Sequence, residues 1–318
     1  MVKIAVAGGS GQVGQEVIDT LVASEKHEIV ILSRDKAVVG DGASGVTWRA
    51  VDYDNKSQLI EALQGIHTVL FFIQLMADPE NTAQKNLIDA AIVAGVKRFA
   101  PSEWGRQVAS TIGMPWWSGK DKIKEYLEKV NENGKVLEYT LFQPGLFLEY
   151  LAAPYKTVKH LEPLNTMIDF QNRRAIVVDG YDAIMTFTTV KDLTTVVVLA
   201  VDLAGEWPVV EGIRGNRVLV SEVLKIGEKV RGRTFAIEKV KLADLEKGIL
   251  TASWTLEASH PSVKGDQVEK MLKTVLIGTL LSSAKGAWDV SDEMNQLLPD
   301  FKFTQIEDFL TEVWDGKP

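Results

Sequence analysis

An apolar strand, Val2-Lys3-Ile4-Ala5-Val6-Ala7, runs straight into Gly8-Gly9-Ser10-Gly11-Gln12-Val13-Gly14, and an amphipathic stretch then continues from Gln12 to Ser24. Few arrangements constrain a chain more. Gly9, Gly11 and Gly14 satisfy the G-x-G-x-x-G spacing, and Gly8, Gly11 and Gly14 satisfy the related G-x-x-G-x-x-G. In such a turn one glycine lets the chain leave the strand sharply. A second lets a pyrophosphate approach the backbone, and a third lets the helix close on the sheet. The helix aims its unpaired N–H groups and positive dipole end at the phosphates, so Ser10, Gln12 and Val13 are expected beside the ligand with the glycines. A glycine triplet alone is a weak signal; its place between a strand and a helix is what makes it a dinucleotide site.

About twenty residues further on, such sites choose between NAD and NADP. The second strand reads Glu28-Ile29-Val30-Ile31-Leu32-Ser33-Arg34, with Lys36 close behind. A carboxylate at the strand end would hold a ribose 2′-hydroxyl. Here Ser33 and Arg34 stand in its place, and a guanidinium fork matches a phosphate. The reading is NADPH, with Ser33, Arg34 and Lys36 around the 2′-phosphate. The competing reading is a solvated Arg-Asp-Lys turn, which Asp35 keeps open.

Composition narrows the class. The 318 residues are 46% hydrophobic, enough for a full α/β core and a second region. A net charge of −8, without a basic run interleaved with aromatics, argues against a nucleic-acid partner. The absence of cysteine excludes disulfides and thiolate chemistry, and the four histidines lack metal-ligand spacing, so no metal is expected. The longest apolar run, Val196 to Val201, is too short to cross a bilayer, and the first residues read as a core strand rather than a leader. A cytoplasmic location without membrane contact follows as the expectation.

Strand and helix patterns alternate through the first half, the mark of a parallel sheet built from βαβ units. Strands are expected at 46–51, 68–73, 98–101 and 138–142, with helices at 57–63, 82–94 and 120–131. The fully apolar run from Val69 to Ile73 suggests burial on both faces. Beyond residue 145 the alternation becomes irregular. A strand at 185–189 and a helix at 190–201 read as a segment returning to the sheet. Later elements are expected at 207–210, 221–230 and 234–240, with helices to the end. The resulting division is residues 1–150, with a return near 185–203, and a mainly separate region over 151–318.

Gly8-x-x-Gly11-x-x-Gly14, Ser33-Arg34, Lys97-Arg98-Phe99-x-Pro101-Ser102-Glu103-Trp104-Gly105 and Lys120 together resemble the atypical short-chain dehydrogenases/reductases of the NmrA-like and isoflavone-reductase-like group. The resemblance covers most of residues 1–150 and weakens afterwards. It implies an α/β fold with a Rossmann-type doubly wound parallel sheet and a smaller C-terminal α+β substrate domain. It further implies NADPH as cofactor and reduction of a small aromatic or conjugated metabolite carrying an enone, imine or carbonyl. Standard short-chain enzymes place a Tyr four residues before a Lys; at that place this chain has Trp116-x-x-x-Lys120. An indole gives no useful proton. The resemblance instead assigns general acid/base work to Lys120, a role open to a lysine whose pKa desolvation lowers; the alternative is that Lys120 only clamps the ribose.

By the same resemblance Asp52 falls near the adenine, and Ile73 and Gln74 near the nicotinamide side. Ser102, Phe142 and Pro144 lie at the rim formed by the strand ends, where ligands of open α/β sheets sit. Trp104, Met114, Trp116, Trp117, Phe147 and Tyr150 offer aromatic and apolar walls for a flat substrate, although a stripe of this kind also fits plain core. The partner expected is a small-molecule substrate, with a homodimer left open. A partner protein enters only under the alternative of a dinucleotide-sensing regulator without turnover. A non-redox cyclase or isomerase on the same fold is the third reading.

Overall fold

The computed structural model describes residues 1–34, 40–41, 45–106, 117–257 and 268–318. Lys36, Met114 and Trp116, assigned above to the cofactor and the substrate wall, lie outside the described residues. The chain begins β1 (Lys3–Ala7), α1 (Gln12–Ser24), β2 (Glu28–Ser33), β3 (Gly40–Asp41), β4 (Val46–Ala50), α2 (Lys56–Ala62), β5 (Thr68–Phe71) and α3 (Thr82–Ala94). It continues with β6 (Arg98–Ala100), α4 (Trp117–Val130), β7 (Glu138–Tyr139) and β8 (Leu141–Gln143).

These elements build a seven-stranded sheet in the order β3-β4-β2-β1-β5-β6-β7. Six strands run parallel, and the two-residue β3 adds antiparallel to β4 at the edge. Apart from that edge strand, the order is that of a Rossmann-type doubly wound sheet. The chain winds outward from β1 through β2 to β4, then restarts at β5 on the other side of β1. With right-handed crossovers, the reversal puts α1 and α3 on opposite faces and opens a crevice between the carboxyl ends of β1 and β5.

Burial explains why these segments became strands. Ile4 to Ala7 of β1 are fully buried, and every residue of β5 is buried, as expected for strands covered on both faces. Each Ile or Leu so buried contributes about 1.5–3 kcal/mol. In α1, Gly14, Val17, Ile18 and Leu21 form the buried face. Helix α3 keeps the bounds its pattern predicts because Gly95 (φ 75°) stops it, its N–H turning back to the Ala91 and Ile92 carbonyls.

The remaining elements are β9 (Leu146–Phe147), β10 (Ile168–Asp169), β11 (Arg174–Val178), β12 (Ile184–Thr188), α5 (Val190–Asp202), β13 (Val210–Gly212), β14 (Asn216–Leu219), α6 (Val220–Arg231) and β15 (Ala236–Val240). Helices α7 (Leu242–Leu245), α8 (Val268–Ala284), α9 (Glu293–Leu297) and α10 (Ile306–Trp314) follow. Two compact units result. One gathers Met1–Trp104, Trp116–Phe142 and Leu193–Glu211; the other is built chiefly of Gln143–Asp192 and Gly212–Pro318. The first includes most of α5, and the Thr20 hydroxyl of α1 donates to that of Thr194 at 2.9 Å. The second holds two three-stranded sheets, β10-β11-β15 and β14-β12-β9, with α10 packed on α6 and α8 on β11.

Two expectations shift for physical reasons. The strand anticipated at 138–142 divides at Thr140, because Tyr139 pairs with Phe99 in the large sheet while β8 joins β13 in a separate ladder. The strand anticipated at 207–210 forms instead over Val210–Gly212. Trp207 is anchored by its side chain: the indole N–H donates to the Ala200 carbonyl at 2.8 Å, and the backbone N–H donates to Glu138 at 2.7 Å.

Candidate functional site

The glycine turn sits at the carboxyl end of β1, at the point where the strand order reverses. Gly8 has φ of 78°, a left-handed conformation that costs any L side chain. A Cβ there would stand 2.6 Å from the Ile73 nitrogen, so the turn lies against the chain leaving β5. A Cβ on Gly14 would come within 2.7 Å of the Gly8 carbonyl oxygen, which shows how tightly the helix closes on the turn. The Gly11 N–H donates to the Gly8 carbonyl at 2.9 Å, and the Gln15 side chain donates to the Ser10 carbonyl at 2.8 Å. Gly11 is the N-cap of α1 and supplies no side-chain cap, and the first turn of the helix, which begins at Gln12 and Val13, carries no acid. That start is suited to an anion: backbone donors, a positive dipole end and no competing carboxylate.

At the end of β2, Ser33 is half-buried and Arg34 exposed, and no ion pair holds the Arg34 guanidinium among the described residues. Beneath it Tyr53 is buried, its hydroxyl donating to the Leu32 carbonyl at 3.3 Å. Burial pushes the Tyr53 phenol above its ordinary range, with the Arg34 charge acting in the opposite sense. Asp52 is exposed. Its carboxylate accepts the Asp54 N–H at 3.0 Å, and its own N–H donates to Gln58 at 2.8 Å, which fixes the turn into α2. Ile73 is half-buried against Gly8, and Gln74 is exposed, heading the short 3-10 turn Leu75–Ala77.

The next strand end carries Ser102, Glu103 and Trp104. The Ser102 N–H donates to the Gln84 side chain at 2.8 Å. Trp104 has φ of 36° and lies between two parallel rings, Phe72 at 4.3 Å and Phe142 at 5.3 Å, with its indole N–H donating to the Phe71 carbonyl at 2.8 Å. Lys120, in the first turn of α4, donates from Nζ to the Glu103 carbonyl. Trp117 opens the same helix and is buried.

Sequence reasoning missed the residues that hold this strand end in place: Asp78, Asn81 and Gln84. Asp78 accepts the N–H groups of Ala83 and Gln84 at 3.1 and 3.0 Å, and Asn81 donates to the Gly119 carbonyl at 2.9 Å. An acid and an amide just ahead of a helix start were the available signal.

In the second unit Pro144 is buried, and Gly145 (φ 73°) lies so close to Thr186 that a Cβ would fall 2.3 Å from its carbonyl oxygen. Phe147 and Tyr150 meet edge to face, ring centres 5.6 Å apart. Burial and then the Glu149 carboxylate push the Tyr150 phenol up. Glu149 itself accepts the Val190 N–H at 2.9 Å. A Tyr four residues before a Lys occurs in this unit at Tyr155 and Lys159, in an irregular segment rather than on a helix, where Tyr155 packs edge-on against Trp314. Among the described residues no cluster of His, Asp and Glu is arranged to hold a metal, and no helix is long and apolar enough to cross a membrane.

The family model of the NmrA-like family matches residues 2–310. The chain is similar to oxidoreductase swnN of Metarhizium robertsii, at 27% identity over all of this chain and 98% of that one. It is also similar to oxidoreductase BOA1 of Botryotinia fuckeliana, at 31% identity over 73% of this chain and 77% of the relative. Among solved structures, the NADPH-dependent quinone oxidoreductase QOR2 of Escherichia coli, complexed with NADPH, superposes with a TM-score of 0.70. The two share 20% identity, and the match covers 98% of this chain and 99% of that one.

Proposed function

The chain belongs to the NmrA-like family, and from that premise we propose that it is an NADPH-dependent reductase of a small aromatic or conjugated metabolite with an enone, imine or carbonyl group. The observation that carries the proposal is the cradle at the switch point. Gly8 and Gly14 leave room that a Cβ would fill, α1 starts with no side-chain cap and no acid in its first turn, and Arg34 is exposed at the end of β2. A dinucleotide pyrophosphate fits the first two features and a 2′-phosphate the third. The relatives named oxidoreductases, and the NADPH in the Escherichia coli structure of similar fold, support the same choice of cofactor.

When bound, NADPH supplies a hydride to the conjugated acceptor. This chain's residues do the rest. Gly8 to Gly14 would hold the pyrophosphate, and Ser33 and Arg34 would hold the 2′-phosphate. Ile73, Gln74, Ser102 and Phe142 would border the nicotinamide. Lys120, already fixed at the strand end by the Glu103 carbonyl, holds the ribose hydroxyls and gives a proton to the oxygen or nitrogen that gains negative charge. Trp104 and Trp117 would supply aromatic surface for the substrate.

The test is turnover of NADPH against a panel of quinones, enones and imines, with wild type beside Lys120→Met. At least one acceptor is reduced, and the variant loses about a hundredfold or more in kcat. If NADPH binds and no acceptor is reduced, the reductase reading fails in favour of a dinucleotide-binding regulator.

A further inference from the structure

We propose that Asn81 is a positioning residue for Lys120, acting through the start of α4; the proposal rests on the role given to Lys120 above. Asn81 caps α3 with φ of 57°, in the left-handed region, whereas N-cap residues are ordinarily extended. Its side chain is 1% exposed, and from that conformation its amide donates to the Gly119 carbonyl at 2.9 Å. Gly119 is the residue immediately before Lys120. Its bare Cα is what lets the two segments come this near: a Cβ would stand 2.8 Å from the Leu75 side chain and 3.4 Å from the Asn81 amide.

The same short segment also reaches the other end of the lysine. Asp78 fixes the first turn of α3 by accepting from Ala83 and Gln84, and the Gln84 side chain accepts the Ser102 N–H at 2.8 Å. Ser102 adjoins Glu103, whose carbonyl receives the Lys120 ammonium. The start of α3 therefore holds the lysine's backbone through Asn81 and its acceptor through Gln84. A lysine has a long flexible stem, so its ammonium sits at a defined point only when both ends are anchored. An unusual backbone conformation that is kept to deliver one hydrogen bond to the residue before a site lysine is a mark of positioning.

The test uses two full-length variants. Asn81→Gly keeps the positive φ and removes the amide; Asn81→Asp keeps the shape and removes the donor. Both are checked for wild-type circular dichroism and then assayed with NADPH and menadione. The expected result is a kcat lower by about tenfold or more in each, with KM for NADPH within about threefold of wild type. In parallel, reductive 13C-methylation reports on the lysine directly: the dimethyl-Lys120 resonance, assigned with Lys120→Arg, shifts or splits in both variants. A folded variant with unchanged kcat overturns the proposal, as does lost turnover with an unaltered Lys120 resonance. If wild type reduces no acceptor, the reductase reading falls, and the lysine resonance alone decides the positioning role.

Discussion

A Cβ on Gly8 would stand 2.6 Å from the backbone nitrogen of Ile73, so the glycine turn and the chain leaving β5 are in contact at the switch point of the sheet. Gly8→Ala must pay left-handed strain of about 1–2 kcal/mol and also push Ile73 aside. Gly65 has nearly the same φ, 73°, but no atom within 4 Å of its would-be Cβ. Gly65→Ala should therefore lose about 1 kcal/mol with NADPH affinity intact, and Gly8→Ala should lose more and bind NADPH poorly. Denaturant unfolding and calorimetric titration of the pair check this, and equal effects would count against the contact.

Arg34 is exposed at the carboxyl end of β2, the place proposed for the 2′-phosphate. A charge-assisted hydrogen bond is worth about 1.5–3 kcal/mol, so Arg34→Gln should weaken NADPH binding by about tenfold or more. NADH, which lacks the 2′-phosphate, should be almost unaffected. Equal losses for the two nucleotides would remove Arg34 from the phosphate.

The three-ring stack of Phe72, Trp104 and Phe142 combines packing with one hydrogen bond, from Trp104 to the Phe71 carbonyl. Trp104→Ala removes both and should cost about 3–5 kcal/mol. Trp104→Phe keeps the stack and should cost about 1 kcal/mol. Urea melts of the two variants distinguish them, and a Phe variant as unstable as the Ala variant would deny the stack its stabilising role.

Two histidines should contribute to the loss of stability on the acid side. Burial is the larger influence on His27 and lowers its pKa from 6.5, with the Asp202 carboxylate opposing; burial and then Arg98 lower that of His67. Each therefore binds protons less readily in the folded than in the unfolded chain. Their contribution is complete above about pH 6.5 and is lost as the pH falls from there through the lowered values. Melting temperatures between pH 7 and 5 should fall, and fall less steeply in His27→Asn. A variant profile parallel to wild type would contradict the assignment.

Helices α1 and α3 were legible to the residue because each is bounded by a local signal, the glycine turn ahead of Gln12 and the Gly95 cap after Ala94. The glycine turn was legible because its backbone geometry depends on residue type at fixed spacing. The break at Thr140 was not, since whether a strand stays in one sheet or passes to another depends on a distant partner, here Val210–Gly212. Nor were the long-range partners of Asn81 and Gln84. Both sit in an ordinary polar helix start, and only the fold brings them to Gly119 and Ser102, residues 38 and 18 positions away.

We propose the crevice between β1 and β5 as an NADPH site. Calorimetric titration of the full chain with NADPH and with NADH tests it most directly. The expected result is saturable one-to-one binding of NADPH, tighter than NADH by about tenfold or more. Binding of neither nucleotide, or equal affinity for both, would contradict it.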